Sequence, residues 1–235
     1  MYSALSHLKD PTKNITTVED PVEYRLAGIN QIQVKPEIDL DFARCLRAIL
    51  RQDPDIVLIG EIRDKETVEI AIKASLTGHL VLSTFHTNDA PSAISRLLYM
   101  GIERYLLASA LNLVIAQRLV RRICDHCKEP VTLSEEVLKH MGIDNEKAKN
   151  SVFYHGRGCQ ACGETGYLGR LPIFEFLDVD SNISEKIITS ATESEIRDAS
   201  RQKGYGGLLD SGVNKVLEGL TTAEEVIRIA FTDKG

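Results

Sequence analysis

Short apolar runs alternate with helical patterns through the first hundred residues. Ile56–Ile59 is continuously apolar and Leu80–Leu82 follows the same pattern, which predicts two buried strands of a parallel sheet. Ile15–Val18 is rich in β-branched residues and predicts a third strand. Ile29–Val34 alternates apolar and polar side chains at period two, which is typical of a half-exposed strand.

Helical periodicity fills the segments between these strands. Asp39–Gln52 and Thr67–Leu76 each place their apolar residues on one face, which predicts two amphipathic helices. A further helix is expected to be capped by Asn88 or Asp89 and to end at Gly101. Because strands and helices alternate, we expect right-handed crossovers and a parallel α/β sheet that is covered on both faces.

The pattern changes beyond residue 116. Residues 117–123 are basic, and residues 124–169 hold four of the five cysteines together with a cluster of glycines. The tail carries two capping-box patterns, Thr192–Glu195 and Thr221–Glu224, which predict helix starts. We therefore divide the chain into an α/β core at residues 1–122, a cysteine-bearing insert at 123–170 and a C-terminal helical subdomain at 171–235.

Composition and charge exclude several protein classes. Of the 235 residues, 43% are hydrophobic and 26% are charged, which is typical of a globular protein. The net charge of −6 argues against a nucleic-acid binder held by bulk charge. The longest apolar stretch, Tyr105–Ala116, is too short to span a bilayer, and the N-terminus lacks the signal-peptide pattern. A local basic patch is either a solvated strand edge or a contact for an acidic partner or anionic lipid, and it comprises Arg118, Arg121, Arg122 and Lys128.

Reactive side chains follow three of the predicted strands. The segments concerned are Glu19–Glu23, Gly60–Asp64 and Ser83–Thr87. Because the carboxyl ends of parallel strands meet at one edge of a sheet, we expect these side chains to converge. Carboxylates beside a histidine can hold a divalent cation and orient a water, as phosphoryl transfer requires. The alternative is that they are ordinary strand ends that face solvent.

The cysteines form two CxxC pairs, Cys124 with Cys127 and Cys159 with Cys162. Four thiolates in two tight turns suit tetrahedral Zn²⁺, so the spacing predicts a closed, structural zinc site in a reducing compartment. A redox dithiol is the alternative. His126 and His155 are expected to be surface residues, and Ser134–Met141 is predicted to be a small helix between the pairs.

Three long segments of the sequence form an ordered set of motifs: residues 18–24, 50–64 and 77–90. Together they resemble the type II secretion and type IV pilus assembly ATPases, a family of RecA-like hexameric motors. Residues 50–64 (LRQDPDIVLIGEIRD) are similar to the Walker B signature of that family. Residues 18–24 (VEDPVEY) are similar to its Asp box, and residues 77–90 (TGHLVLSTFHTNDA) to its His box. The resemblance runs from Tyr2 to about Ala230. It implies a RecA-like P-loop NTPase core that uses ATP and Mg²⁺.

The resemblance also implies roles for individual residues. Glu61 would polarise or position the attacking water, Glu23 with Glu19 nearby would support Mg²⁺, and His86 would sense or stabilise the γ-phosphate. Positions that would contact the nucleotide or its metal are Asp20, Gly60, Arg63 and His79. Simpler interpretations remain for two of them, because Arg63 could form a local ion pair with Asp64 and His79 could be a packed polar residue.

The sequence contains no Gly-Lys dipeptide, so it has no P-loop motif G-x-x-x-x-G-K-[ST]. We expect the chain to begin about one turn after that motif and, alone, to bind ATP weakly. Its tetracysteine insert is similar to that of assembly and secretion members, whereas retraction ATPases lack one. The choice between pilus assembly and type II secretion stays open.

Three hypotheses follow for the function. The first is the C-terminal motor part of a hexameric ATPase that is cytoplasmic, binds no nucleic acid, and is peripheral to the inner membrane through platform and assembly proteins. The second is a zinc-binding remnant or interaction fragment without catalysis. The third is an unrelated metal-dependent hydrolase, which the ordered match of three motifs disfavours.

Overall fold

The computed structural model describes residues 1–231, which form two compact units. The first unit comprises Met1–Thr87, Ser92–Asn112 and Val179–Glu193. The second unit comprises Asn88–Pro91, Leu113–Asp178 and the described residues from Ser194 onward.

Helices and strands are numbered along the chain. The helices are α1 (Tyr2–Leu8), α2 (Phe42–Ile49), α3 (Lys65–Leu76), α4 (Ala90–Tyr99), α5 (Arg104–Ala110), α6 (Glu135–His140), α7 (Asn145–Lys149), α8 (Ser181–Ile188), α9 (Glu193–Gln202), α10 (Leu208–Leu217) and α11 (Ala223–Phe231). The strands are β1 (Ile15–Glu19), β2 (Asn30–Gln33), β3 (Ile56–Ile59), β4 (Leu80–Ser83), β5 (Leu113–Ile123), β6 (Lys128–Val131), β7 (Phe153–Gly156) and β8 (Tyr167–Asp178). The segment boundaries placed at residues 122 and 170 lie within β5 and β8.

A parallel four-stranded sheet forms the centre of the first unit, in the order β2-β1-β3-β4. The predicted parallel α/β core is thereby confirmed. All residues of β1 and β3 are buried, as their apolar runs predict. The prediction that β4 is buried is wrong, because β4 lies at the edge of the sheet within the described residues and Leu80 is 40% exposed.

Alternate residues of a strand point to opposite sides of the sheet, so this sheet has apolar side chains on both faces, and both faces are covered. On one face Val57 and Ile59 pack with Leu46 of α2 and Ala71 of α3. The other face is covered by α1 and includes a second cluster of buried residues, Leu5, Ile15, Ile56 and Leu58. Cys45, the cysteine outside the two CxxC pairs, is 2% exposed on the α2 side and belongs to this core.

Aspartates set the starts of α2 and α3. The Asp41 carboxylate accepts the Arg44 amide at 2.7 Å, so the helix predicted from Asp39 begins at Phe42 instead. It ends at Ile49 and continues as a 3₁₀ turn over Leu50–Gln52. Asp64 caps α3 in the same way through the Thr67 amide at 2.8 Å.

A long antiparallel ribbon of β5 and β8 runs through the second unit, pairing Leu113 with Asp178 at one end and Ile123 with Tyr167 at the other. The shorter pair β6–β7 is a separate two-stranded sheet, with Lys128 opposite Gly156. The ribbon shares its core with the insert and the tail, through the buried residues Val120, Met141, Ile143, Phe153, Ile173, Val213, Val216, Ala223 and Val226.

Two predicted helix starts in the second unit can be compared with the structure. Ser134 caps α6, as expected for the predicted helix Ser134–Met141. The capping box predicted at Thr221 is displaced by one residue, because the Thr222 hydroxyl accepts the Glu225 amide at 3.2 Å. Thr221 instead donates its hydroxyl to the carbonyl of Arg121 at 2.7 Å, which ties the start of α11 to β5.

Candidate functional site

An open cleft of about 520 Å³ lies in the first unit at the carboxyl ends of β1, β3 and β4. The strands end there side by side because the sheet is parallel. The cleft is lined by residues that include Tyr2, Glu19, Asp20, Glu23, Gly60, Glu61, Thr84 and His86. The expected convergence of the three strand ends is therefore present.

Glu61 stands at the centre of a group of charged side chains in this cleft. One of its carboxylate oxygens lies 3.3 Å from His86 Nε2, and the other accepts a short hydrogen bond from the Arg63 guanidinium. Arg63 also lies 3.8 Å from the Asp20 carboxylate. The prediction of an ion pair between Arg63 and Asp64 is wrong. Arg63 pairs with Glu61 instead, and the Asp64 carboxylate caps α3.

Arg63 also governs the charge of Glu61. The hydrogen bond from Arg63 is the main cause that lowers the pKa of the Glu61 carboxyl, with a smaller contribution from His86. Glu61 is therefore a carboxylate at neutral pH, with a side chain that is 16% exposed to the cleft. An ionised carboxylate only accepts hydrogen bonds, so it can polarise a water through the O–H that the water donates, whereas a protonated carboxyl also acts as a donor.

Gly60 lets β1 and β3 approach closely at the edge of the cleft. Its amide donates to the Val18 carbonyl at 2.7 Å. A Cβ at this position would lie 3.2 Å from that carbonyl oxygen and 3.3 Å from the Cα of Glu19. The glycine therefore brings the backbone that carries Glu61 next to the backbone that carries Glu19 and Asp20.

Glu19 is held in a buried network rather than open in the cleft. Its carboxylate accepts short hydrogen bonds from the hydroxyls of Tyr2 and Thr17 and a third bond, at 3.1 Å, from Gln31 Nε2. The residue is only 4% exposed. Sequence reasoning missed Tyr2 and Gln31. Both are distant from Glu19 in sequence, so no local pattern indicates that they bind it.

The remaining candidate residues lie at different distances from this centre. Glu23 is exposed in the cleft wall, where its amide donates to the Tyr2 hydroxyl at 3.3 Å. His79 lies at the opposite, amino end of β4, where its Nδ1 is 2.9 Å from the carbonyl of Ala74. Of the candidate residues, those that line the cleft are Glu19, Asp20, Glu23, Gly60, Glu61 and His86. Arg63 pairs with Glu61, and His79 lies outside the cleft.

Backbone contacts fix the loop that carries His86. Thr84 donates its hydroxyl to the carbonyl of Gly60, and the Ile62 amide donates to the Thr84 carbonyl at 3.2 Å. Arg96 of α4 donates to the His86 carbonyl at 2.9 Å and lies over the ring of Phe85. Thr84 lies in the predicted segment Ser83–Thr87, whereas Arg96 was not identified from the sequence. Together these bonds hold the His86 segment beside the Glu61 segment.

The four CxxC cysteines form a second candidate site, in the second unit. Their sulfur atoms all lie within 4.8 Å of one another, with Sγ–Sγ distances of 3.9 Å for Cys124–Cys159 and 4.0 Å for Cys127–Cys162. A tetrahedron of sulfurs ~2.3 Å from a zinc ion has edges of about 3.8 Å. The donor set and its spacing therefore fit Zn²⁺.

Protonation differs between the thiols of this cluster. Burial raises the pKa of Cys127 to about 12. Burial also acts on Cys162, but hydrogen bonds from the backbone amides of Cys159 and Gly166 outweigh it and lower the pKa of Cys162 to about 6. A bound cation would therefore release protons, since metal binding requires thiolates.

Neither nearby histidine joins the cluster. His126 is exposed, and His155 Nε2 lies 3.1 Å from a carboxylate oxygen of Glu129. Their interpretation as surface residues agrees with these positions.

Over residues 1–231, no helix is long and apolar enough to cross a bilayer.

Comparison with known proteins identifies the relatives of this chain. The family model described as Type II/IV secretion system protein matches residues 1–228. The chain is 50% identical to the type IV pilus assembly ATPase PilB of Thermus thermophilus over 96% of its length and 25% of that protein. It is 51% identical to the type II secretion system protein E of Pseudomonas aeruginosa over 97% of its length and 45% of that protein.

A solved structure gives the same result at the level of the fold. The crystal structure of the pilus retraction motor PilT with bound ADP superposes with a TM-score of 0.69 at 26% sequence identity. The match covers 100% of this chain and 57% of that chain. The chain thus spans 25% of the Thermus relative, 45% of the Pseudomonas relative and 57% of the retraction motor.

Proposed function

The chain belongs to the Type II/IV secretion system protein family, and we propose that it is the catalytic motor portion of an ATPase that powers type IV pilus assembly or type II protein secretion. The observation that carries the proposal is the cleft in which Glu61, His86, Asp20 and Glu23 converge. Further support comes from the pilus assembly ATPase of Thermus thermophilus and the secretion protein of Pseudomonas aeruginosa, which are about 50% identical to nearly all of this chain.

In this proposal Glu61 accepts a hydrogen bond from the attacking water and so polarises and positions it. The lowered pKa of its carboxyl keeps it ionised for that role. His86, 3.3 Å from Glu61, faces the phosphate that is being transferred. Arg63 holds Glu61 in place from the other side. Bound ATP supplies the phosphoanhydride bond that is cleaved.

Mg²⁺ would be held by other carboxylates of the same cleft. Hard cations prefer oxygen ligands, and the carboxylates of Asp20 and Glu23 line the cleft. Both oxygens of Glu19 are already engaged by protein donors. Glu19 therefore supports the site by fixing the backbone before Asp20. The phosphate-binding loop would come from outside these 235 residues, since they contain no Gly-Lys dipeptide.

We further propose that zinc fills the cysteine cluster as a structural ion. Four thiolates would saturate a tetrahedral ion and leave no open position for catalysis. The larger assembly is proposed from the family: a homo-hexamer in the cytoplasm that contacts the inner membrane through platform and assembly proteins. Both machines stay in the proposal, because the pilus assembly and secretion relatives are 50% and 51% identical to the chain.

The catalytic proposal is tested by restoring a phosphate-binding loop. The chain is fused behind the segment that precedes the matched region in the Thermus relative, and its ATP turnover is measured. Glu61→Gln should lower turnover by about 10²–10⁴ while leaving the affinity for a non-hydrolysable ATP analogue unchanged.

Glu66→Gln is the matched control, because Glu66 lies on α3 and pairs with Arg47 outside the cleft. Its turnover should equal that of the parent fusion. If Glu61→Gln kept half of that turnover, the catalytic role of Glu61 would be wrong. The unfused chain should bind the analogue only weakly, and micromolar binding would overturn the assignment of the phosphate loop to an outside segment.

A further inference from the structure

One glycine contacts both halves of the cysteine cluster. The Gly166 amide donates to the Cys162 sulfur at 3.2 Å, and the Gly166 carbonyl accepts the Cys124 amide at 3.0 Å. Cys124 belongs to the first CxxC pair and Cys162 to the second. The backbone of Gly166 therefore joins the two pairs independently of any metal.

A second glycine lies directly against this one. A Cβ built on Gly156 would overlap the carbonyl oxygen of Gly166, and a Cβ built on Gly166 would overlap the carbonyl oxygen of Gly156. The backbones of β7 and of the turn before β8 thus cross where no side chain fits. Beside the crossing, the Arg157 amide donates to the Cys127 carbonyl at 3.0 Å, which is a second tie to the first pair.

The residue after Gly166 is anchored from outside the cluster. The Tyr167 hydroxyl lies 2.9 Å from the Thr222 hydroxyl, and the Arg121 guanidinium lies over the Tyr167 ring at 4.1 Å. Gly166 itself is buried and has a φ of +76°, a conformation that favours glycine. Gly166 is therefore held on one side by the crossing with Gly156 and on the other by Tyr167.

We propose that the crossing of Gly156 and Gly166 is the positioning element of the metal site: it sets the distance between the two CxxC pairs and orients the Cys162 sulfur toward a zinc ion. This inference rests on the proposed zinc site. Partners outside the ligand set that orient metal ligands change metal affinity by about 10–100-fold when they are altered. The crossing is such a partner, built from backbone alone.

The test measures zinc affinity of the purified chain by competition with a chromophoric chelator, with the zinc content of the unaltered protein determined by elemental analysis. Gly166→Ala should weaken zinc binding by about 10–100-fold. Gly156→Ala should do the same, although Gly156 does not have a positive φ. The effect at Gly156 would thus come from the crossing and not from backbone strain.

Gly169→Ala is the matched control. Gly169 has a similar φ of +81°, but nothing lies within 4 Å of a Cβ built there. Its zinc affinity should equal that of the unaltered protein, and all variants should keep amide protection in β1 and β3. The cobalt(II) form provides a second readout, since a displaced Cys162 sulfur should weaken the thiolate-to-cobalt bands in the two crossing variants only.

Different outcomes separate the two proposals. An unaltered protein that contains no zinc and has free thiols would overturn the zinc site itself. Zinc affinities of Gly166→Ala and Gly156→Ala equal to that of Gly169→Ala would overturn the positioning role and leave the zinc site intact. Loss of protection in β1 and β3 in both crossing variants would assign the glycines to folding of the whole chain, which also overturns the inference.

Discussion

Arg63 sets the charge of Glu61 through one hydrogen bond, which is the largest of the effects that lower the pKa of the Glu61 carboxyl. Replacing Arg63 by alanine removes this bond and leaves burial, which raises the pKa, opposed only by the weaker effect of His86. We therefore expect Arg63→Ala to raise the pKa of Glu61 toward the ordinary value near 4.3. A ¹³C NMR titration of the Glu61 carboxyl measures the change.

The sign of the accompanying pH effect follows from linkage. A carboxyl with a depressed pKa in the folded state contributes stability above its unfolded pKa, and this is lost as pH falls through the folded pKa. In Arg63→Ala this contribution should be smaller, and its loss should be complete at a higher pH. Lys65→Ala is the control, because Lys65 pairs with Glu69 instead. An unchanged pKa of Glu61 in Arg63→Ala would assign its depression to another group.

Residues of the cleft differ in how far the sequence could reveal them. Asp20, Glu61 and His86 follow strands whose apolar patterns are clear, and parallel pairing brings such strand ends together. Tyr2 and Gln31 reach Glu19 from α1 and β2, and only the packed structure makes them neighbours. The pairing of Arg63 with Glu61 was also missed, because the adjacent Asp64 was the expected partner.

At the scale of elements, a buried carboxylate ties α11 to β5. The Glu225 side chain has no exposed surface and binds the guanidinium groups of Arg121 at 2.7 Å and Arg228 at 2.9 Å. It also accepts the Arg121 amide at 3.0 Å. Burial by itself would raise the pKa of Glu225, but the hydrogen bonds from Arg228 and Arg121 outweigh it and lower the pKa to about 2.

This tie predicts a pH-dependent loss of stability in Glu225→Gln. A pKa lowered from 4.5 to about 2 corresponds to about 3 kcal/mol of stabilisation at neutral pH. The stabilisation is complete above the unfolded pKa and is lost as pH falls from about 4 toward 2. At pH 7 the free energy of unfolding of the variant should therefore be about 2–3 kcal/mol lower than that of the unaltered protein. This difference should shrink steadily below pH 4.

Urea unfolding of both proteins across this pH range measures the difference. Glu224→Gln is the control, because Glu224 is the exposed neighbour on the same helix turn. It should show no comparable loss at pH 7. A difference for Glu225→Gln that stayed constant down to pH 2 would mean that the variant acts through packing rather than through charge.

The elements also show where local pattern stops being informative. The strands β1 and β3 were predicted because their buried runs are continuous. The ribbon of β5 and β8 was missed, since β5 is apolar in its first half and basic in its second, and its partner lies more than forty residues away. Such pairing depends on tertiary contacts, which local sequence does not encode.

At the scale of the whole molecule, the insert does not depend on metal alone. Its apolar residues are few in sequence, which favours a segment that zinc must fold. In the structure Met141, Ile143 and Phe153 join the ribbon residues Val120 and Ile173 in one core. Burial of these side chains stabilises the insert without metal. The residues that need zinc to stay folded are therefore fewer than all those between Cys124 and Cys162.

Zinc removal should therefore loosen the chain in a limited region. With a chelator present, we expect faster hydrogen exchange over residues 124–128 and 156–166, which hold the cysteines and the glycine crossing. Amides of Phe153 and of the ribbon should stay protected by their core, and those of β1 and β3 should not change, because no ligand of the cluster lies in that sheet. Exchange measured by mass spectrometry with and without chelator, and with Cys159→Ser as a metal-free variant, resolves these regions. Loss of protection throughout residues 113–178 would mean that zinc rather than the shared core supplies most of the folding free energy of the insert.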